Sequence, residues 1–270
     1  MKSLNGSDLA GFIKERQAKA VRGLRQAQGT TPKLVIIRTN PDPVVDSYMR
    51  LKSSYGADIL VDVEVLTIDQ SQAVAAIGKL NEDTSVHGII VQIPLPNPKQ
   101  TNEILNTVDS EKDVDGLSEA TTFDAPTPIA INWLLTGYNV ELQGRKIVIV
   151  GHGRLVGKPL AKMWQHSGFD VTIVDKKVAD LKEITRHADV LVCATGVPGL
   201  ITSDMVNPEA AIVDAGVATD SNGLVGDVAA SVRGLPNITI TPEKGGVGPL
   251  TVCALFENVI NAAQNSLVQK

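Results

Sequence analysis

Lys146-Ile147-Val148-Ile149-Val150-Gly151-His152-Gly153-Arg154-Leu155-Val156-Gly157-Lys158-Pro159 is a run of β-branched residues that gives way to three glycines within seven positions. The apolar run has the length of a buried parallel strand. The glycines allow a tight turn and close approach of another group to the backbone, and the spacing beyond them predicts a helix through His166. Val171–Val174 reads as the next strand and ends at Asp175, 22 residues past Gly153. Strand, glycine-rich turn, helix and a second strand closed by an acid is the first unit of a dinucleotide-binding domain. There the pyrophosphate rests on the turn and the acid meets a ribose hydroxyl. The turn carries one residue more than the common pattern between its second and third glycines. A plain turn in an α/β domain is the alternative reading. Val190–Ala194 and Ala211–Val213 continue the strand series.

Upstream, the same alternation occurs without the glycine turn. Ser7 or Asp8 is expected to cap a helix carrying Leu9, Phe12, Ile13, Ala20, Val21 and Leu24 at helical spacing. Leu34–Ile37 reads as a strand, Val44–Tyr55 as a helix, Ile59–Leu66 as a strand, Ser71–Leu80 as a helix and Gly88–Ile93 as a third strand. Such alternation implies parallel strands with helical crossovers. At the far end, Lys244-Gly245-Gly246-Val247-Gly248-Pro249-Leu250-Thr251 precedes an apolar helical segment, Val252 to Val268. A glycine-rich loop opening a helix exposes N–H groups suited to a ligand.

The expected fold class is therefore α/β: an N-terminal α/β catalytic domain at 1–125, completed by the closing helix at 251–270, and a Rossmann-type dinucleotide-binding domain at 126–250. Ligands of open α/β sheets bind at the carboxyl ends of strands, which places the expected active site in a cleft between the two.

Composition narrows the partners. With 270 residues, 43% hydrophobic and 20% charged, the chain has the balance of a globular protein with a sizeable core. A net charge of −5 and the lack of basic runs interleaved with aromatics argue against nucleic acid. The apolar runs are strand-sized, so no membrane is expected. Residues 1–6 have no signal-peptide core, and the two cysteines, Cys193 and Cys253, read as small buried hydrophobes, so a cytoplasmic location is expected. Four scattered histidines offer no ligand spacing, and no metal is expected.

Several residues can carry chemistry. Tyr48 and Lys52 are four apart, one turn along one helix face. Tyrosine offers a flat face for stacking, and a desolvated lysine can move protons. Gln92 closes the apolar run Ile89-Ile90-Val91, where its amide needs partners and a ligand is a natural one. Asp113-Val114-Asp115-Gly116 is a turn with two carboxylates, suited to gripping an N–H-rich heterocycle through paired hydrogen bonds.

Taken together, the chain resembles the bifunctional methylenetetrahydrofolate dehydrogenase/methenyltetrahydrofolate cyclohydrolase family over nearly its whole length. The resemblance rests on Tyr48 to Lys52, Asn81-Glu82-Asp83 with Ile89–Leu95, Lys112 to Gly116 and Thr127-Pro128. It continues through Gly151 to Pro159, Gly196 to Gly199, Leu224 to Asp227 and Gly245 to Pro249. It implies oxidation of 5,10-methylenetetrahydrofolate and hydrolysis of the methenyl form to 10-formyltetrahydrofolate, in one-carbon metabolism and purine biosynthesis. Catalytic roles fall to Lys52, Tyr48, Gln92 and Asp115. Lys52 serves the cyclohydrolase step, Gln92 assists it, Tyr48 stacks on the folate and Asp115 binds the pterin. Gly245, Gly246, Gly248 and Pro249 border the substrate. Gly151, His152, Gly153, Arg154, Asp175, Lys176, Thr195, Gly196 and Val217 line the nucleotide. A homodimer is also implied.

The chain departs from the family pattern in places. The stretch from Gly116 to Thr127 is shorter than usual, Ile129 replaces a Lys or Arg, Ala130 a Gly, Val45 a Ser, and Lys244 a Pro. His152 stands where many members have an Arg that helps hold the 2′-phosphate of NADP. Asp175 favours NAD, whereas Arg154, Lys176 and Lys177 can neutralise a phosphate. Family habit favours NADP, with NAD the alternative, in a monofunctional dehydrogenase of the same family. Rival readings are another two-domain dehydrogenase and a nucleotide-binding regulator without turnover. A short-chain dehydrogenase is excluded because its Tyr-x-x-x-Lys follows the nucleotide turn rather than preceding it.

Overall fold

Four apolar runs, 34–37, 88–91, 147–150 and 190–193, become strands buried along their whole length. The computed structural model describes residues 1–41, 43–175, 178, 180–220 and 223–268. In chain order the elements are β1 (Lys2–Ser3), α1 (Gly6–Gln28), β2 (Lys33–Arg38), α2 (Pro43–Asp58), β3 (Asp62–Thr67), α3 (Ala73–Glu82), β4 (Gly88–Val91) and α4 (Thr101–Asn106). They continue with α5 (Pro126–Gly137), β5 (Ile147–Val150), α6 (Gly157–His166), β6 (Val171–Val174), α7 (Leu181–Thr185), β7 (Val190–Cys193) and β8 (Ala211–Asp214). The last are β9 (Ala218–Asp220), β10 (Gly223–Val225), α8 (Ala230–Arg233), β11 (Thr239–Ile240) and α9 (Val247–Val268). No helix among the described residues is long and apolar enough to cross a membrane.

The chain divides into two compact units. One comprises Met1–Ala10 with Thr127–Thr251, the other Gly11–Pro126 with the chain from Val252 on. The second holds a three-stranded parallel sheet in the order β3-β2-β4, in which Leu34 pairs with both Val63 and Gly88. Val35, Ile37, Ile77, Ile89, Val91, Ile104 and Leu105 form its core on one side. Gly56 lets α2 lie directly on β3, because a Cβ there would collide with the Val63 side chain. Tyr55 donates to Gln17 Oε1 at 2.8 Å, and its ring packs 5.1 Å from that of Phe256, tying α2 to α1 and α9.

The first unit holds a six-stranded parallel sheet, β1-β11-β8-β7-β5-β6. The chain leaves β5 for β6 on one side and reaches β7 on the other. Strand order therefore reverses at the carboxyl end of β5, the place where open α/β sheets bind ligands. Val148, Leu191, Cys193, Ile212 and Ile240 lie in its core.

Some expected boundaries move. Ile59–Val61 are not strand: the chain turns through Leu60, at φ 67°, before β3 starts at Asp62. α3 starts at Ala73 after a short 3-10 turn, and β4 ends at Val91. The cap of α1 is Asn5 rather than Ser7 or Asp8: its Oδ1 accepts from Ser7 N at 3.0 Å, a contact worth about 1 kcal/mol. α9 opens at Val247, inside the glycine-rich loop, since Pro is tolerated in a helical first turn, where its missing N–H has no partner to lose. The edge pair β1 and β11 was too short to give a period.

Candidate active site

In the second unit, three of the expected residues converge at the carboxyl ends of β2 and β4. Gln92 extends the ladder past β4, its N–H donating to Ile37 O at 2.9 Å. Lys52 Nζ donates to Gln92 Oε1 at 3.3 Å, and Gln92 Nε2 donates to Ile93 O at 3.0 Å, so the amide is oriented with its oxygen toward the lysine. Burial pushes the Lys52 ammonium below the usual lysine range, partly offset by the negative charge of Asp115. Asp115 is pushed up by burial, with Lys52 pulling it down and Asp113 pushing it up. Tyr48 lies one turn before Lys52 on α2 and is 39% exposed, which leaves its ring face open.

The turn that carries Asp115 is built from residues whose roles are structural. Asp113 is buried, and its Oδ2 accepts from Ser118 N at 2.8 Å. Lys112 Nζ donates to Leu80 O, Asn81 O and Asp83 O at 2.8–2.9 Å, closing the carboxyl end of α3. Asn81 completes the joint through Thr107 O at 2.8 Å and Asp109 N at 3.1 Å. Asn258 on α9, buried, donates to Val114 O and Asp124 O, both at 2.9 Å. The shared work within Asp113-Val114-Asp115-Gly116 thus separates: the first acid folds the turn and the second presents its carboxylate beside Lys52. Sequence reasoning assigned no role to Lys112 and passed over Asn258. The available signal was Asn258 set among the apolar Leu255, Phe256, Val259 and Ile260.

In the first unit, the turn after β5 lies at the reversal point. Gly151 has φ 102°, and a Cβ there would stand 2.8 Å from the Ala194 carbonyl carbon and 3.2 Å from Thr195 Cγ2. Only glycine lets the turns after β5 and β7 meet so closely. A Cβ on Gly157 would overlap the Gly151 carbonyl, which seats α6 against the turn, whereas one on Gly153 would meet nothing within 4 Å. His152, Gly153 and Arg154 are exposed, as are Gly196 and Val217. Asp175 stands exposed just past β6. Thr195 is anchored through its N and Oγ1 to Asp227 Oδ2 at 2.5 and 2.9 Å. Lys176 and Lys177 lie outside the described residues. The structure thus gathers Gly151, Thr195 and their neighbours at the carboxyl ends of β5 and β7.

The glycines of the closing loop have a packing role of their own. Gly245 has φ 81°, and its carbonyl accepts from Ser7 N at 3.0 Å; a Cβ on it would stand 2.6 Å from Ser7 Oγ. A Cβ on Gly6 would overlap Gly246 O. Gly248, followed by Pro249 in the first turn of α9, has no such neighbour and faces open space.

Residues 4–115 match the catalytic domain, and residues 125–267 the NAD(P)-binding domain, of tetrahydrofolate dehydrogenase/cyclohydrolase. The chain is 36% identical over 274 residues to the bifunctional protein FolD of Exiguobacterium sibiricum, covering 97% of this chain and 99% of that one. The crystal structure of the bifunctional enzyme FolD from Campylobacter jejuni superposes with a TM-score of 0.93 at 33% identity, over 98% of this chain and 99% of that one. The Trypanosoma brucei dehydrogenase-cyclohydrolase, complexed with NADP cofactor and inhibitor, gives a TM-score of 0.91 at 28% identity, over 98% of both chains.

Proposed function

The chain belongs to the tetrahydrofolate dehydrogenase/cyclohydrolase family, and on that premise we propose that it oxidises 5,10-methylenetetrahydrofolate with NADP and hydrolyses the resulting methenyl form to 10-formyltetrahydrofolate. The observation that carries the reading is the contact of Lys52 Nζ with Gln92 Oε1 beside the Asp115 carboxylate. Few structural roles demand a lysine with its charge disfavoured by burial, oriented by an amide and facing an acid at the carboxyl end of a parallel sheet.

Tyr48 offers its exposed ring to the folate, and Asp115 holds the pterin through hydrogen bonds to its N–H groups. When bound, NADP supplies the acceptor for the hydride that leaves the methylene bridge. The turn Gly151–Arg154, open at Gly153, and the Thr195-Gly196 turn fit a dinucleotide, with Val217 beside them and His152 and Arg154 exposed on the turn. The protein's work in that step is to align two rings. In the second step water adds to the methenyl carbon. Lys52, drawn toward its free base, takes the proton from that water and passes one to N5 as the carbon–N5 bond opens, with net release of one proton. Gln92 keeps the amine aimed. Gly245, Gly246, Gly248 and Pro249 border the folate in this reading.

Asp175 speaks for NAD as the alternative nucleotide, because a carboxylate at the end of the second strand suits a free ribose 2′-hydroxyl. The family reading also carries a homodimer, a cytoplasmic location and a supply of one-carbon units to purine biosynthesis. A spectrophotometric assay with methylenetetrahydrofolate and each nucleotide tests the main proposal. Methenyl formation with NADP, followed by its hydrolysis, is expected. Nucleotide binding without turnover would leave a silent regulator instead.

A further inference from the structure

Two acids no part of the mechanism uses sit beneath the carboxyl ends of β7 and β8. Asp214 closes β8, and its side chain is 5% exposed; Asp227 follows β10 and is fully buried. The Asp214 carboxylate accepts from Gly216 N at 3.2 Å, Asp227 N at 3.0 Å and Val228 N at 3.1 Å. Asp227 Oδ2 accepts from Thr195 N and Oγ1. Each acid is seated against a glycine on the other's segment: a Cβ on Gly216 would overlap the Asp227 carboxylate, and one on Gly226 the Asp214 carboxylate. Asp227 Oδ1 is buried without a hydrogen-bond partner among the described residues.

A buried carboxylate with half its acceptor capacity unused is costly to keep. Hydrophobic packing does not account for it, because the same volume filled by an apolar residue would avoid that cost. What Asp227 does accomplish is specific. It takes both donors of Thr195, and Thr195 Oγ1 in turn accepts from Val197 N at 3.1 Å. One side chain therefore fixes the turn 195–197, which meets Gly151 across the reversal point of the sheet.

We propose that Asp227 is a positioning residue for the nicotinamide nucleotide, setting the Thr195-Gly196-Val197 turn against which the cofactor rests. The inference relies on the reading above that this turn contacts NADP. Asp214 acts behind it, holding Asp227 and Val228 by their backbone N–H groups.

The two activities supply an internal control, since hydrolysis of the methenyl form uses no nucleotide. In Asp227→Asn the acceptor facing Thr195 is neutral, and charge-assisted hydrogen bonds are about twice as strong as neutral ones. The KM for NADP should rise about fivefold or more, while cyclohydrolase kcat/KM and the melting temperature stay close to those of the unaltered protein. An unchanged KM, or both activities falling together, overturns the proposal. If Asp227→Asn does not fold, Asp227→Ser should show the same split, and failure of both to fold would assign the residue to stability alone. Amide hydrogen exchange on the unaltered protein separates the premise. Saturating NADP should slow exchange at Gly196. Unslowed exchange there defeats the reading that the turn touches the nucleotide, whereas slowed exchange with an unchanged KM in the variant defeats only the positioning role.

Discussion

Lys52 and Asp115 bias each other's charge in opposite directions. Burial lowers the lysine and the acid raises it back; burial raises the acid and the lysine lowers it back. The sign of a pH effect follows. If Lys52 works as the free base, the cyclohydrolase rate climbs as pH rises through an apparent pKa below the 10.5 of an unperturbed lysine. In Asp115→Asn the influence that raises Lys52 is gone, so its free base is reached earlier. The rising limb of the pH profile should move to lower pH, whatever happens to the maximal rate. A limb that stays, or moves up, rules out the coupling.

Removing the amine altogether tests its role directly. Lys52→Met keeps the volume and loses the proton carrier, which general acid–base catalysis values at about 10²–10⁴-fold. Hydrolysis of the methenyl form should fall by that order with the circular dichroism spectrum unchanged. Normal hydrolysis in the variant would remove Lys52 from the mechanism.

Asp115→Ala should separate the two ligands. A charge-assisted contact contributes about 1.5–3 kcal/mol, so folate affinity should drop roughly tenfold to a hundredfold while NADP affinity holds. Equal loss of both would mean that the Asp113–Gly116 turn had collapsed.

Asn258 is expected to matter for stability. Its Nδ2 satisfies two carbonyls, Val114 O and Asp124 O, and an abandoned buried acceptor costs about 1–3 kcal/mol. Asn258→Leu should lower unfolding free energy by roughly that amount in denaturant titration. Because Val114 adjoins Asp115, the KM for folate should rise with it. A variant as stable as the parent would show that water replaces the amide.

The nucleotide choice turns on charges of both signs. With NADP as cofactor, Arg154→Ala should raise the KM for NADP and spare NAD, and the NADP affinity should weaken with salt because exposed charges are screened. Asp175→Ala should improve NADP at the expense of NAD. Catalytic efficiency strongly favouring NAD in the unaltered protein would reverse the assignment.

What the sequence disclosed, and what it hid, has a physical pattern. The β-branched runs at 34–37 and 147–150 announced central strands because residues buried on both faces leave no polar alternation. Gln92 stood out for the converse reason, as a polar group at the end of an apolar run, and Tyr48 and Lys52 by their spacing of one helical turn. Residues that act through backbone contacts were silent. Lys112 caps a helix three loops away, Asp227 grips Thr195 from 32 residues downstream, and no spacing rule ties such partners. Gly245 and Gly246 invited a ligand reading, yet a side chain on Gly245 would press on Ser7, and the Gly246 carbonyl sits where only a glycine at position 6 leaves room, a pairing across almost the whole chain. Ile59 looked like strand because composition alone cannot distinguish an apolar helix exit from a strand entry.

Both units are discontinuous in sequence, and this bears on the order in which they can form during synthesis. The six-stranded sheet draws its edge strand β1 from residues 2–3 and pairs it with Thr239–Ile240. The three-stranded sheet relies on Cys253 and Phe256 of α9 to hold Tyr55. The first unit lacks the partner of its edge strand until Thr239–Ile240 has left the ribosome, and the second stays incomplete until α9 has. A nascent chain stopped at residue 126 carries Lys52, Gln92 and Asp115 but not the helix that seats Tyr55 and staples Val114. Such a fragment should emerge as a partly ordered sheet that lacks the α9 contacts to Tyr55 and Val114.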